Sequence, residues 1–171
     1  MATNIVRAHP GSHIGQWVKH GIIGGVLAGI VFAMFEMVMA VVQMGTDGFF
    51  MPLRMIGGMA LGAEALDPGT SLVTAGGAGL VIHMMLSAMF GAGVAAVAWA
   101  VPTLRSGTAP LVVWGSVAGL SLWLVNFYVI APIAGWRWFP DATDPVIQFV
   151  AHTVVYGALV GLYLDRTARA R

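Results

Sequence analysis

The sequence predicts an all-α membrane protein, a bundle of four transmembrane helices with an interfacial helix between spans one and two. Three observations lead there. Of the 171 residues, 58% are hydrophobic and only 9% charged, against roughly 25% charged in an ordinary soluble domain. Four apolar runs reach the ~20 residues that a helix needs to cross the hydrocarbon layer. The runs show no strand-like alternation, so a barrel is not expected.

The first run extends from about Gly21 to Met44, after a polar segment (residues 1–19) carrying Arg7, His9, His13 and Lys19. It is too long for the apolar region of a signal peptide and is interrupted by Glu36, so it reads as a retained span. The second covers 71–101 and is closed by Pro102. The third covers 109–133, with Pro132 near its end. The fourth covers 145–164, with Pro145 at a favourable first-turn position after Asp144. Residues 102–108 form a tight turn, which makes spans two and three antiparallel neighbours. Residues 49–66 are semi-apolar, too short to span, and carry Arg54 and Glu64, which suits a helix lying in the interface. A re-entrant segment is the alternative. Residues 20–165 thus form the membrane domain and 166–171 a basic tail.

Basic residues orient the bundle. Arg7, Lys19, Arg105, Arg166, Arg169 and Arg171 fall on one side, Arg54 and Arg137 on the other. The excess places both termini in the cytoplasm of a cell whose inner membrane holds the chain. Trp17, Trp136, Trp138, Phe139, Phe49 and Phe50 lie at span ends, as an aromatic belt requires.

Depth then separates two residue classes. The pairs Gly25/Gly29, Gly115/Gly119 and Gly157/Gly161, with Ser87, Gly91 and Gly93, lie in the cytoplasmic half of their spans. Small residues there let backbones approach. Glu36, His83, Asn126 and His152 lie roughly 9 to 18 Å below the outer surface at ~1.5 Å per residue. The expectation is a cone, tight inside and wider outside, with an outward-facing polar cup formed by these four side chains. Ser121, Tyr128, Gln148 and Thr153 sit near the same level.

An ionisable group near the bilayer centre costs at least ~2.5 kcal/mol and marks a role. One role is structural, with Glu36 bonded to His83 and His152 to Asn126. A second is ligand binding. Histidines on two spans at similar depth are what haem b needs, with Gly79 one turn before His83 leaving room for a macrocycle. Metal is a third, with His83, His152 and Glu36 as ligands. The eleven methionines, concentrated between Met34 and Met89, would suit Cu(I) or simple packing. A fourth is proton or solute transport dependent on Glu36. The absence of cysteine removes disulfides, thiolate metal sites and cysteine nucleophiles. No GxSxG elbow is present, and no lysine follows the glycines at 76–79, so hydrolysis and phosphate binding are not expected. A net charge of +1 offers no footprint for nucleic acid. The expected partners are the lipid bilayer and other membrane subunits or a second copy. The function expected is non-enzymatic, a structural or accessory subunit or a small-ligand binder.

Two hairpins, Glu36 then His83 and Asn126 then His152, with aromatic-proline loops at 49–52 and 138–140, suggest a faint repeat about the membrane normal. The Met51-Pro52-Leu53-Arg54 opening, the Ile82-His83-Met84-Met85-Leu86-Ser87 stretch, Trp123-x-x-Asn126-x-Tyr128 and Gln148-Phe149-Val150-Ala151-His152 together span the four-helix core. In these residues the chain resembles a group of small uncharacterised bacterial inner-membrane proteins. That resemblance implies the four-span architecture and no activity. A lone glutamate in the first of four spans also resembles the small multidrug transporters, but in that residue and the helix count alone.

Overall fold

The computed structural model describes residues 13–169, and the expectations placed on Arg7, His9 and Arg171 lie outside them. The described residues contain helices and turns and no strand. Four helices are long and apolar enough to cross a membrane: α1 (Ile14–Met44), α3 (Leu72–Ala100), α4 (Thr108–Ala134) and α6 (Pro145–Arg169). Between them lie α2 (Met51–Leu61) and the single turn α5 (Trp138–Asp141). Side chains directed away from the bundle are apolar: Val42, Val73 and Ile133 are 70%, 85% and 83% exposed. Such a surface is suited to lipid.

The helix ends follow local chemistry. Asp144 Oδ1 accepts hydrogen bonds from the Val146 and Ile147 amides at 2.8 and 3.0 Å, and Pro145 fills the next position. This is the N-cap that orphan amides at a helix start require. Gly135 closes α4 in the left-handed region at φ 81°, where a Cβ is disfavoured. Helix α1 begins at Ile14, seven residues before the expected span. The added turns are held by Trp17, which is fully buried with Leu111, Val160 and Leu164. Helix α6 likewise runs beyond Leu164. Asp165 is buried, accepts from Thr108 Oγ1 at 2.8 Å and pairs with Arg169, so the chain can remain helical there.

The four long helices form two closely seamed pairs. In the first, α1 runs antiparallel to α3. A Cβ on Gly25 would lie 2.2 Å from the Ser87 carbonyl oxygen, and one on Gly91 would lie 2.2 Å from that of Gly21. In the second, α4 runs antiparallel to α6. A Cβ on Gly115 would lie 2.1 Å from the Gly157 oxygen, and one on Gly161 would lie 2.3 Å from that of Leu111. Only glycine permits backbones this close. The pairs join along α1 and α6, where Gly24 abuts Tyr163 and Phe32 abuts His152. Helices α3 and α4 share few contacts beyond the hydrogen bond from Trp114 Nε1 to the Val94 carbonyl, 3.0 Å.

Helix α2 packs on α3 through a third small-residue seam. A Cβ on Gly57 would lie 2.1 Å from the Ala75 oxygen, and Leu53, Met55, Gly57 and Gly58 are buried. Arg54 holds the following loop. Its guanidinium donates to the carbonyls of Ala65, Asp67 and Thr70 at 3.1, 3.0 and 2.9 Å. Trp138 Nε1 donates to the Met55 carbonyl at 3.0 Å, which ties α5 to α2.

Candidate functional site

Where the two seamed pairs diverge, a cavity of about 400 Å³ opens between α1, α3, α4 and α6. Glycine seams hold each pair shut at the end nearest the α1 start. The larger residues Phe32, Phe90, Phe127 and Tyr156 line the space that opens beside and beyond these seams. Glu36, His83, Asn126 and His152 all line this one space. The four side chains expected to form a cup therefore share one cavity. Pro52, Ile56 and Met59 of α2, with Trp136, Phe139 and Thr143 of the α5 region, lie across its far end.

Two irregular stretches frame the walls. Helix α4 widens into a π turn over Asn126–Ile130, and α6 does so over Ala151–Ala158. Such turns insert a residue into the helical ladder and often mark functional sites. Here they carry Asn126, Phe127, His152 and Tyr156 to the cavity. Within the second, the His152 and Thr153 side chains bond to the carbonyls of Gln148 and Phe149, four residues back. Competition of this kind loosens the regular pattern.

The polar side chains do not pair as the structural reading expected. Glu36 does not bond to His83. Its Oε2 accepts from Gln148 Nε2 at 2.8 Å, because His83 sits level with Gly29, seven residues and roughly 10 Å along α1 from Glu36. His83 donates from Nε2 to the Gly29 carbonyl at 2.8 Å. His152 donates from Nδ1 to the Gln148 carbonyl in its own helix at 2.9 Å, and so makes no use of Asn126. Tyr156 donates from its hydroxyl to the Ser87 carbonyl at 2.6 Å and joins the two helix pairs. Glu36 Oε1 is left buried without a hydrogen-bond partner. A buried carboxyl oxygen in that condition is costly.

These contacts test the cofactor reading. A carbonyl only accepts, so His83 Nε2 carries a proton and is committed to Gly29. That is the ring nitrogen a haem iron would need. Phe32 packs against both imidazoles, with centroids 5.4 Å from His83 and 4.8 Å from His152, and so takes up the room beside them. The two histidines do not fit an axial pair. The proposed metal ligands Glu36, His83 and His152 do not converge either. Among the described residues, no three His, Asp or Glu side chains are grouped to hold an ion. Imidazoles turned toward backbone carbonyls on different helices are the reason.

Gln148, Phe32 and Tyr156 are site residues that the sequence reading did not select. Gln148 had a usable signal: it lies one turn before His152, on the same face. Phe32 and Tyr156 look like ordinary bundle aromatics until the helix rotations are known. Comparison with protein-family models, characterised proteins and solved structures finds no match for the chain.

Proposed function

We propose that this chain is a non-enzymatic, multi-pass protein of a bacterial inner membrane, with cytoplasmic termini, that holds a small, largely apolar molecule in the cavity between its two helix pairs. One observation carries the reading. Glu36 Oε1 is buried beside the cavity, and no group of the described protein satisfies it. Burying an acceptor without a donor costs about 1–3 kcal/mol. A ligand that supplies the missing donor removes that cost. The size of the space also supports binding, since small-molecule sites are mostly apolar, about 300–1,000 Å³, with a few placed polar groups. In this reading α2 lies at the membrane surface and, with the α5 region, keeps water out. The resemblance to small bacterial inner-membrane proteins agrees with the architecture and adds no ligand.

The test is occupancy. Native mass spectrometry of the chain, released from lipid nanodiscs, should find about one non-phospholipid molecule per chain. Ala33→Trp places an indole in the cavity and should abolish the adduct while leaving the helical circular dichroism unchanged. A wild-type chain that carries no adduct, from the native membrane or after incubation with membrane extract, overturns the proposal.

A further inference from the structure

The cavity has a polar group to satisfy and a side that is only lightly closed. Most of its walls are buried or half-buried, but two lining residues are exposed: Met89 on α3 at 56% and Ile130 on α4 at 43%. They belong to the two neighbouring helices that share few contacts. At one end of the α3–α4 crevice, Trp114 is bonded to the Val94 carbonyl. At the other, the roof is pinned by Trp138 on Met55. The crevice therefore lies on the lateral face of the bundle, in the band of exposed apolar side chains. The unbranched Met89 side chain can swing aside there without breaking a hydrogen bond.

The lining sets the chemistry. Among the described residues, no lysine or arginine lines the cavity. His83 Nε2, His152 Nδ1 and Gln148 Nε2 already have acceptors. The orphan is Glu36 Oε1; as a carboxylate oxygen it accepts and does not donate, so the partner it calls for is a donor.

We propose that the ligand is a lipid-soluble molecule with one hydrogen-bond-donating head, a hydroxyl or an amine on an apolar body, which passes from the bilayer through the α3–α4 crevice, along the stretch bounded by Met89 and Ile130, and donates to Glu36. This rests on the binding role proposed above. Roofing of the far end and a crevice at lipid level make the bilayer its source. The apolar remainder fills the space among Phe90, Phe127 and Leu122.

Three probes that differ only at the head test it: dodecanol, dodecylamine and dodecyl methyl ether, titrated onto the full chain in nanodiscs. The alcohol or the amine should bind at least about tenfold more tightly than the ether, which has no donor. Preference between those two identifies the head group. In Glu36→Gln the discrimination should shrink to less than about threefold, because the amide can turn its own donor toward the cavity. Met89→Trp and Ile130→Trp should slow association about tenfold and leave equilibrium affinity nearly unchanged. Equal binding of ether and alcohol overturns the donor assignment. Unaltered association rates in both tryptophan variants overturn the lateral route. In either case the binding role stands if a native adduct is present, whereas a wild-type chain without adduct ends that role itself.

Discussion

Gly91 and Gly93 are two residues apart on one helix and should respond oppositely to the same substitution. Alanine normally stabilises a helix relative to glycine by up to ~1 kcal/mol. At Gly93 a Cβ meets nothing within 4 Å, so Gly93→Ala should keep that gain. At Gly91 the Cβ would lie 2.2 Å from the Gly21 oxygen and 2.7 Å from the Gly25 Cα. Both are backbone atoms that no rotamer change can move. Restoring an ordinary contact of 3.4 Å requires α1 and α3 to part by about 1.2 Å. The seam carries the His83–Gly29 bond, now 2.8 Å. A shift along that bond lengthens it to about 4.0 Å, beyond hydrogen-bond range. Overpacking costs about 1–3 kcal/mol, and loss of the buried bond adds about 1 kcal/mol. Gly91→Ala should therefore be less stable than Gly93→Ala by roughly 2–4 kcal/mol. Thermal unfolding of both variants in the same detergent, followed by circular dichroism, measures the difference. Equal stability, or a more stable Gly91→Ala, would refute the seam.

Other contacts make narrower predictions. Tyr156→Phe removes the hydrogen bond from α6 to the α3 backbone at Ser87; it should cost about 0.5–1.5 kcal/mol in the same unfolding assay, the net worth of one buried hydrogen bond. Arg54→Met leaves the carbonyls of Ala65, Asp67 and Thr70 without the guanidinium. Limited proteolysis should then cut faster within 62–70, with the four long helices still protected.

Helix positions were readable because lipid imposes length. The expected spans at 71–101 and 109–133 differ from α3 and α4 by about one residue at each end. The errors arose at polar ends. Gln16, Lys19 and His20 disguised the first turns of α1, where Trp17, Gly21 and Gly24 are the buried face. Asp165 looked like a span end and instead folds its charge against Thr108 and Arg169. Glu36, His83, Asn126 and His152 do line one cavity, although His83 lies level with Gly29, seven residues along α1 from Glu36. Pairing was not readable, because it depends on rotation about each axis. Glu36 shares the α1 face that seats Gly25 on Ser87, yet its carboxyl reaches Gln148 on α6 across the space between the helix pairs. The π turns at Asn126 and Ala151 add rotations that a regular helical wheel does not contain. The roof was missed for a similar reason. The glycines at 57 and 79 were visible, but that they bring α2 against α3 follows only from their meeting in space.

Photolabelling addresses the central claim most directly. A long-chain alcohol with a diazirine beside the hydroxyl, irradiated with the wild-type chain in nanodiscs, reports which residues surround the head group. The account predicts labels on Glu36 and on peptides containing Phe32, Asn126 or His152, lost in Ala33→Trp. Labels confined to lipid-facing positions such as Val42, Val73 and Ile133, unchanged by Ala33→Trp, would contradict it.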